Sequence, residues 1–273
     1  MRLARQIRTL LEGSEKPVVV TFTGGMGAQI ISAAICLSLR TEGRAVYADF
    51  SYFATHEYIA TAGHPGEISR WPWQLEPFGL TPGSFETAPD LGTIEAELIV
   101  DGSRKLALGF EALRQPEIRK HFEIPEGILG ILPSAFSSGY VCIHVRRGDY
   151  VNVASRLIAD REFIDLAANF PDLVHHLAVV TDSPIGEPFR QALGEGYENA
   201  VFLDGVDAFT SHRIMRNARI LVCSNSQFSL VAALLNHRAL VLLPKQWFGD
   251  SDRAVEAPIH EVCEFQILRH SPK

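Results

Sequence analysis

Four side chains with reactive chemistry fall close together in the run YVCIHVRRGDY: His144, Arg146, Arg147 and Asp149. Between them an imidazole, two guanidiniums and a carboxylate can bind an anion and move a proton. The run begins apolar, as a buried strand does, and side chains on a strand alternate between its faces. Val141, Ile143 and Val145 therefore share one face, and Cys142, His144 and Arg146 share the other. Arg146 falls at the tip, where its planar fork of donors suits a phosphate. A cation at a sheet tip calls for an anion, so His144 with Arg146 reads as function. Arg147 has two open roles: a second anion contact, or a partner that holds Asp149 across the turn at Gly148. Asp149 is a candidate general base, or that same turn partner.

Three more polar stretches end apolar runs. SNSQF places Ser224, Asn225, Ser226, Gln227 and Phe228 between a strand and an apolar helix. A serine or asparagine there caps the helix. The free N–H groups of its first turn, at the positive end of the dipole, suit a phosphate. VVTDSP puts Asp182 at a strand end, where a carboxylate accepts from a guanine edge or a ribose, or simply caps a helix. TGGMGAQ holds Gly24, Gly25 and Gly27 between a strand and a helix, with Asp49 ending the next strand. That pattern partly fits a dinucleotide-binding turn, but Ile30 stands where its third glycine belongs. A nicotinamide-dependent oxidoreductase built on Gly25, Gly27 and Asp49 is thus the competing reading.

The elements that must position these residues follow from the apolar runs. KPVVVTF, RAVYADF and TIEAELIV read as strands, with a helix over IISAAICLSLRTEG and a partly helical stretch from Gly109 to Phe122. Residues 51–90 are proline-rich and irregular. Further on, YVCIHVR, LAVVTD, AVFLD, RILVCS and ALVLLP read as strands. Helices are expected around 161–170, 185–194, 207–218 and 226–236. Strands alternating with helices predict an α/β protein with parallel sheets covered on both faces. The proline, glycine and serine-rich stretch EIPEGILGILPSAFSSG marks the boundary between residues 1–135 and 136–273. In open α/β sheets ligands sit beyond the carboxyl ends of the strands, where all four polar stretches fall.

Composition narrows the classes. The 273 residues are 47% hydrophobic and 21% charged, an ordinary globular balance. A net charge of −7 without a lysine/arginine block excludes nucleic acid as the main partner. The four cysteines are far apart and read as small core residues. No secretory signal and no transmembrane-length apolar run is evident. MRLARQIRTLLEG has helical spacing of Leu3, Ile7, Leu10 and Leu11, so it either packs on the first domain or lies on an anionic membrane surface.

VVVTFTGGMGAQIISAAICLSLRTEGRAVYADFSYF, HVRRGDY, DAFTSHRIMRNARILVCSNSQFSLVAALLN and VLLPKQWF occur in the order of the α-1,2-fucosyltransferases. The chain resembles that family, its bacterial members above all, from about residue 17 to 248. The resemblance implies two Rossmann-like domains facing a cleft, the GT-B type, with the first on the acceptor side. It implies transfer of L-fucose from GDP-fucose to a glycan hydroxyl, with inversion and with neither metal nor other cofactor. Arg146 matches the residue that binds the donor diphosphate. Ser226, Gln227 and Phe228 match a phosphate-binding turn, and Asp182 an acid that contacts the nucleoside. Gly24, Gly25 and Gly27 would line the cleft. The only Asp-x-Asp, Asp250 with Asp252, reads as a solvated loop rather than a metal site. Departures from the family stand at Ala28 for asparagine, at Ile30, Ile31 and Ser32 for aromatic-rich residues, and at Leu230 and Val231 for a tryptophan pair. They bear on the acceptor and the donor sugar. A GDP-sugar-binding protein without turnover is a third reading. The lack of an anchor gives the expectation of a cytoplasmic protein, peripheral at the inner membrane.

Overall fold

The runs of β-branched residues become strands because they can bury both faces, and the segments between them are long enough for helices to supply the cover. The computed structural model describes residues 16–54, 71–87, 96–99, 103–124, 130–152, 157–236 and 239–244. The N-terminal amphipathic segment, Asp250, Asp252, Cys263 and the last four residues of VLLPKQWF lie outside them, as does the side chain of Asp149.

The described residues up to Ile124 form one compact unit and those from Gly130 onward another. The division falls ahead of the expected 135/136 boundary for a physical reason. Leu132 and Phe136, 6% and 1% exposed, are part of the second unit's core.

In the first unit, β1 (Val18–Thr21) lies between β2 (Val46–Asp49) and β3 (Glu97–Ile99), all parallel. Helix α1 (Met26–Thr41) follows β1 and is buried over most of its circumference. It ends where Gly43 turns to φ +79 and the N–H of Arg44 returns to the carbonyl of Leu39 at 3.0 Å. Helix α2 (Ser103–Arg114) packs on α1 through Gly109. A Cβ there would collide with Ile31 Cγ2, so only glycine permits this approach.

The second unit has a five-stranded parallel sheet in the order β6-β5-β4-β7-β8. These are β4 (Val141–Val145), β5 (His176–Thr181), β6 (Asn199–Asp204), β7 (Ile220–Val222) and β8 (Leu240–Leu242). Helices α3 (Asp160–Ala167), α4 (Glu187–Gly194), α5 (Ala208–Asn217) and α6 (Gln227–Leu235) connect them. On one face Val141, Ile143 and Val145 pack with Phe163, Phe170 and Phe189. On the other, Tyr140 and Cys142 pack with Ile214, Met215 and Ala232. Each such side chain is worth about 1.5–3 kcal/mol when fully buried. The Tyr140 hydroxyl stays satisfied in this core by donating to the Ile214 carbonyl at 2.6 Å.

The chain runs β4, β5, β6 to one side, then crosses back to add β7 and β8 on the other. The order therefore reverses between β4 and β7, and the carboxyl ends of two such strands are where open α/β sheets take their ligands.

Candidate active site

Arg146 and Arg147 leave the sheet together but go separate ways. Parallel pairing sets Val145 opposite Thr181, so the residues that follow, Arg146 and Asp182, emerge side by side. Arg146 Nη1 meets Asp182 Oδ2 at 2.6 Å, with the two side chains 15% and 18% exposed. The Tyr150 ring lies on another flank, 5.1 Å from the Arg146 guanidinium carbon. Arg147 continues the Val145 face into the helix layer. It stacks on Phe163 and Phe189, pairs with Asp160 and donates to the carbonyl of Ile158 at 3.1 Å. The alternation of the strand points it away from the tip, where an anion contact was expected.

His144 sits one turn of the pleat before Arg146, and it is 3% exposed. Its Nδ1 shares a 2.6 Å hydrogen bond with Ser224 Oγ. Burial, with the neighbouring charge of Arg146, pulls its pKa from 6.5 down to about 3. The fold thus holds this imidazole neutral and enclosed between the end of β4 and the turn after β7. The bond spans the switch point and ties the end of β4 to the turn after β7.

That turn is braced by its own polar groups. Ser226 caps α6 by accepting the N–H of Phe228 at 3.1 Å, and its own N–H bonds the Ser224 carbonyl at 2.8 Å. Ser229 Oγ donates to the carbonyls of Ser224 and Ser226. Ser224, Asn225 and Ser226 are all buried, while Gln227 and Phe228 are half-buried. The Phe228 ring packs on His144 at 5.6 Å and on His212, from α5, at 5.3 Å. His212 is fully buried, and burial, then Arg216 and His144, hold its pKa well below 6.5. The second unit thus brings together His144, Arg146, Asp182 and Ser224 to Phe228 at neighbouring strand ends. Asp149 follows in the one-turn 3-10 segment Gly148–Asn152.

In the first unit the glycine turn is organised by residues the sequence patterns did not single out. Gln29, fully buried, donates to the carbonyls of Gly24 and Pro72 at 2.8 Å each and accepts the N–H of Gln74 at 2.8 Å. Gln74 Oε1 in turn accepts the N–H of Met26 at 2.6 Å. This side chain occupies the start of α1, where a dinucleotide-binding turn would receive a pyrophosphate. A Cβ at Gly25 would stand 3.4 Å from the Trp71 ring. Gly24 needs its φ of +70 to make the turn, and Gly27 is buried in the first turn of α1. Lys105, 3% exposed, donates to the Thr21 carbonyl at 2.8 Å and so fastens α2 to the end of β1. Among the described residues no three His, Cys, Asp or Glu side chains are grouped to hold a metal ion.

The profile of Glycosyl transferase family 11 matches residues 123–261, just over half the chain, and takes in every strand of the second sheet. The protein is accordingly a glycosyltransferase. It belongs to Glycosyl transferase family 11, the α-1,2-fucosyltransferase family. Among solved structures it is similar to the E. coli heptosyltransferase WaaC with ADP, at 12% identity over 83% of this chain and 86% of that one, with a TM-score of 0.44. It is also similar to POFUT1 in complex with GDP, at 13% identity over 82% and 95%, with a TM-score of 0.42. No curated protein matches it in sequence. No described helix is long and apolar enough to cross a membrane.

Proposed function

We propose that the protein transfers L-fucose from GDP-fucose to a glycan hydroxyl, O2 of a galactose on a bacterial surface glycan, with inversion and without a metal. The observation that carries this reading lies inside the family-matched unit. Arg146 follows the end of β4, a capped helix N-terminus follows β7, and the His144–Ser224 bond fastens these two strand ends together at the switch point.

The acceptor oxygen attacks the anomeric carbon as the bond to the β-phosphate breaks, and GDP departs with the electron pair. Negative charge grows on the diphosphate, and Arg146 with the first turn of α6 supplies fixed positive charge and dipole there. Asp149 is assigned the proton of the acceptor hydroxyl. The first unit, with Gly24, Gly25 and Gly27 at its turn, is assigned to the acceptor side of a GT-B cleft. The lipid-linked glycans such an enzyme would modify place it at the cytoplasmic face of the inner membrane.

Calorimetry with GDP, GDP-fucose, GDP-mannose, UDP-galactose and NAD in excess EDTA tests the donor, with wild type and Arg146→Ala side by side. GDP and GDP-fucose should bind, and the variant should lose at least about 1.5 kcal/mol, the lower range for a hydrogen bond to a charged group. Adding a β-galactoside to wild type and GDP-fucose should release GDP. Binding of NAD alone, or an Arg146→Ala variant indistinguishable from wild type, would refute the reading. GDP-fucose binding with no release on any galactoside would refute the acceptor assignment.

A further inference from the structure

Asp182 is bound on both carboxylate oxygens by the segment that leaves β4. Oδ2 holds Arg146 Nη1 at 2.6 Å, and Oδ1 accepts the backbone N–H of Arg147 at 2.8 Å. Its neighbour extends the same clamp: Ser183 Oγ accepts the N–H of Gly148 at 3.1 Å, and Thr181 Oγ1 fixes Ser183 by donating to its carbonyl at 2.7 Å. Three consecutive residues after β4 are thus held by the exit of β5. Gly148, at φ +24, fits only because it lacks a side chain, since a Cβ there would stand 2.5 Å from Asp182 Oδ2.

A carboxylate engaged in this way has both oxygens committed to its own chain. An arginine side chain has four rotatable bonds and would otherwise sample many orientations. Charge stabilisation is strongest when the stabilising groups are fixed before the charge develops. We propose, building on the fucosyl-transfer reading above, that Asp182 is a positioning residue. It sets the guanidinium of Arg146 and the Arg147–Gly148 backbone in the arrangement that meets the diphosphate, and it does not select the base.

The two roles separate experimentally. A nucleoside contact discriminates among bases, whereas a positioning residue acts on every diphosphate alike. Affinities for GDP, ADP and UDP should be measured for wild type, Asp182→Ala, Asp182→Asn, Gly148→Ala, Arg146→Ala and the double variant Arg146→Ala/Asp182→Ala. Turnover of GDP-fucose should be followed in parallel. Asp182→Ala should weaken all three nucleotides by a similar factor, about tenfold or more, and lower kcat by more than it raises KM. Gly148→Ala, which keeps both charges but forces them apart, should reproduce that pattern. Asp182→Asn keeps an acceptor for the Arg147 N–H and should retain part of the function, which also covers a poorly folding alanine variant. In the Arg146→Ala background, Asp182→Ala should cost clearly less than it does in wild type, leaving only the part that acts through the Arg147–Gly148 backbone.

A selective loss of GDP over ADP in Asp182→Ala, absent in Gly148→Ala, would overturn the proposal in favour of base recognition. So would full additivity with Arg146→Ala. A strong effect of Arg146→Ala with no effect of Asp182→Ala or Gly148→Ala would overturn the positioning role alone. An Arg146→Ala variant that binds like wild type would remove the donor site and this inference together.

Discussion

Acid should unfold the second unit through two rings that the fold keeps neutral. His144 and His212 are 3% and 0% exposed. Burial first, and then the charge of Arg146, lowers His144 from 6.5 to about 3. Burial, with Arg216 and His144, lowers His212 well below 6.5. Below pH 6.5 the unfolded chain takes up a proton at each position and the folded chain does not. Stability is therefore full above the unfolded value and falls as the pH drops, until the folded value is reached. A ring that stays neutral in the folded chain contributes about 1.4 kcal/mol per pH unit. Going from pH 6.5 to 5.0 should cost about 2 kcal/mol through His144, and His212 adds a loss of the same sign. A domain is typically stable by only about 5–15 kcal/mol. His144→Gln keeps an amide that can bond Ser224 but removes the titration. Urea unfolding of wild type and variant between pH 7.5 and 5.0 is the assay, because other titrating groups cancel in the difference. The variant should be less stable at pH 7.5 yet lose stability with acid less steeply, by one ring's worth. Parallel pH dependences for the two proteins would refute the reasoning.

Three further outcomes are expected. Gly109→Ala gains up to about 1 kcal/mol of helix propensity, but overpacking against Ile31 costs about 1–3 kcal/mol. Thermal unfolding should show net destabilisation, turning neutral or favourable in an Ile31→Ala background. Gln29→Ala leaves the carbonyls of Gly24 and Pro72 and the N–H of Gln74 without this partner, and should cost about 3 kcal/mol by denaturant unfolding. Arg147→Ala should cost about 1–2 kcal/mol from lost stacking and the lost bond to Ile158, while GDP affinity changes less than about threefold. Arg147→Lys should not restore that stability, since a lysine cannot reproduce the planar fork.

Much of this was legible in the sequence because it rests on short-range patterns. The apolar runs with their β-branched residues marked the strands, and period-two alternation set His144 on the face of Cys142 and Arg146. The same alternation, carried two residues past Val145, points Arg147 into the helix layer. The pairing of Arg147 with Asp160, which arrives from the start of α3, was not announced by any local pattern. The Arg146–Asp182 pair was not legible, since it depends on β4 and β5 being neighbours and on their register. The Gln29–Gln74 interlock joins a glycine turn to a proline-rich stretch with no periodicity, so nothing local announced it.

The order β6-β5-β4-β7-β8 has a consequence for how the protein matures. Arg146 and the Ser224–Phe228 turn belong to strands separated in the chain by β5, β6 and three helices, and His144 and Ser224 are 80 positions apart. During synthesis β4, β5 and β6 emerge first and can zip together by near-neighbour pairing. The Ser224–Phe228 turn then arrives from beyond them with β7, which has to insert on the far edge of β4, a high-contact-order step that comes late and slowly. A nascent or truncated chain ending after β6 could bury much of its apolar surface and still be blind to nucleotide. On the fucosyl-transfer reading proposed above, binding of a nucleoside diphosphate would report on the last long-range event of folding, and the ligand would bring added stability to completed molecules alone.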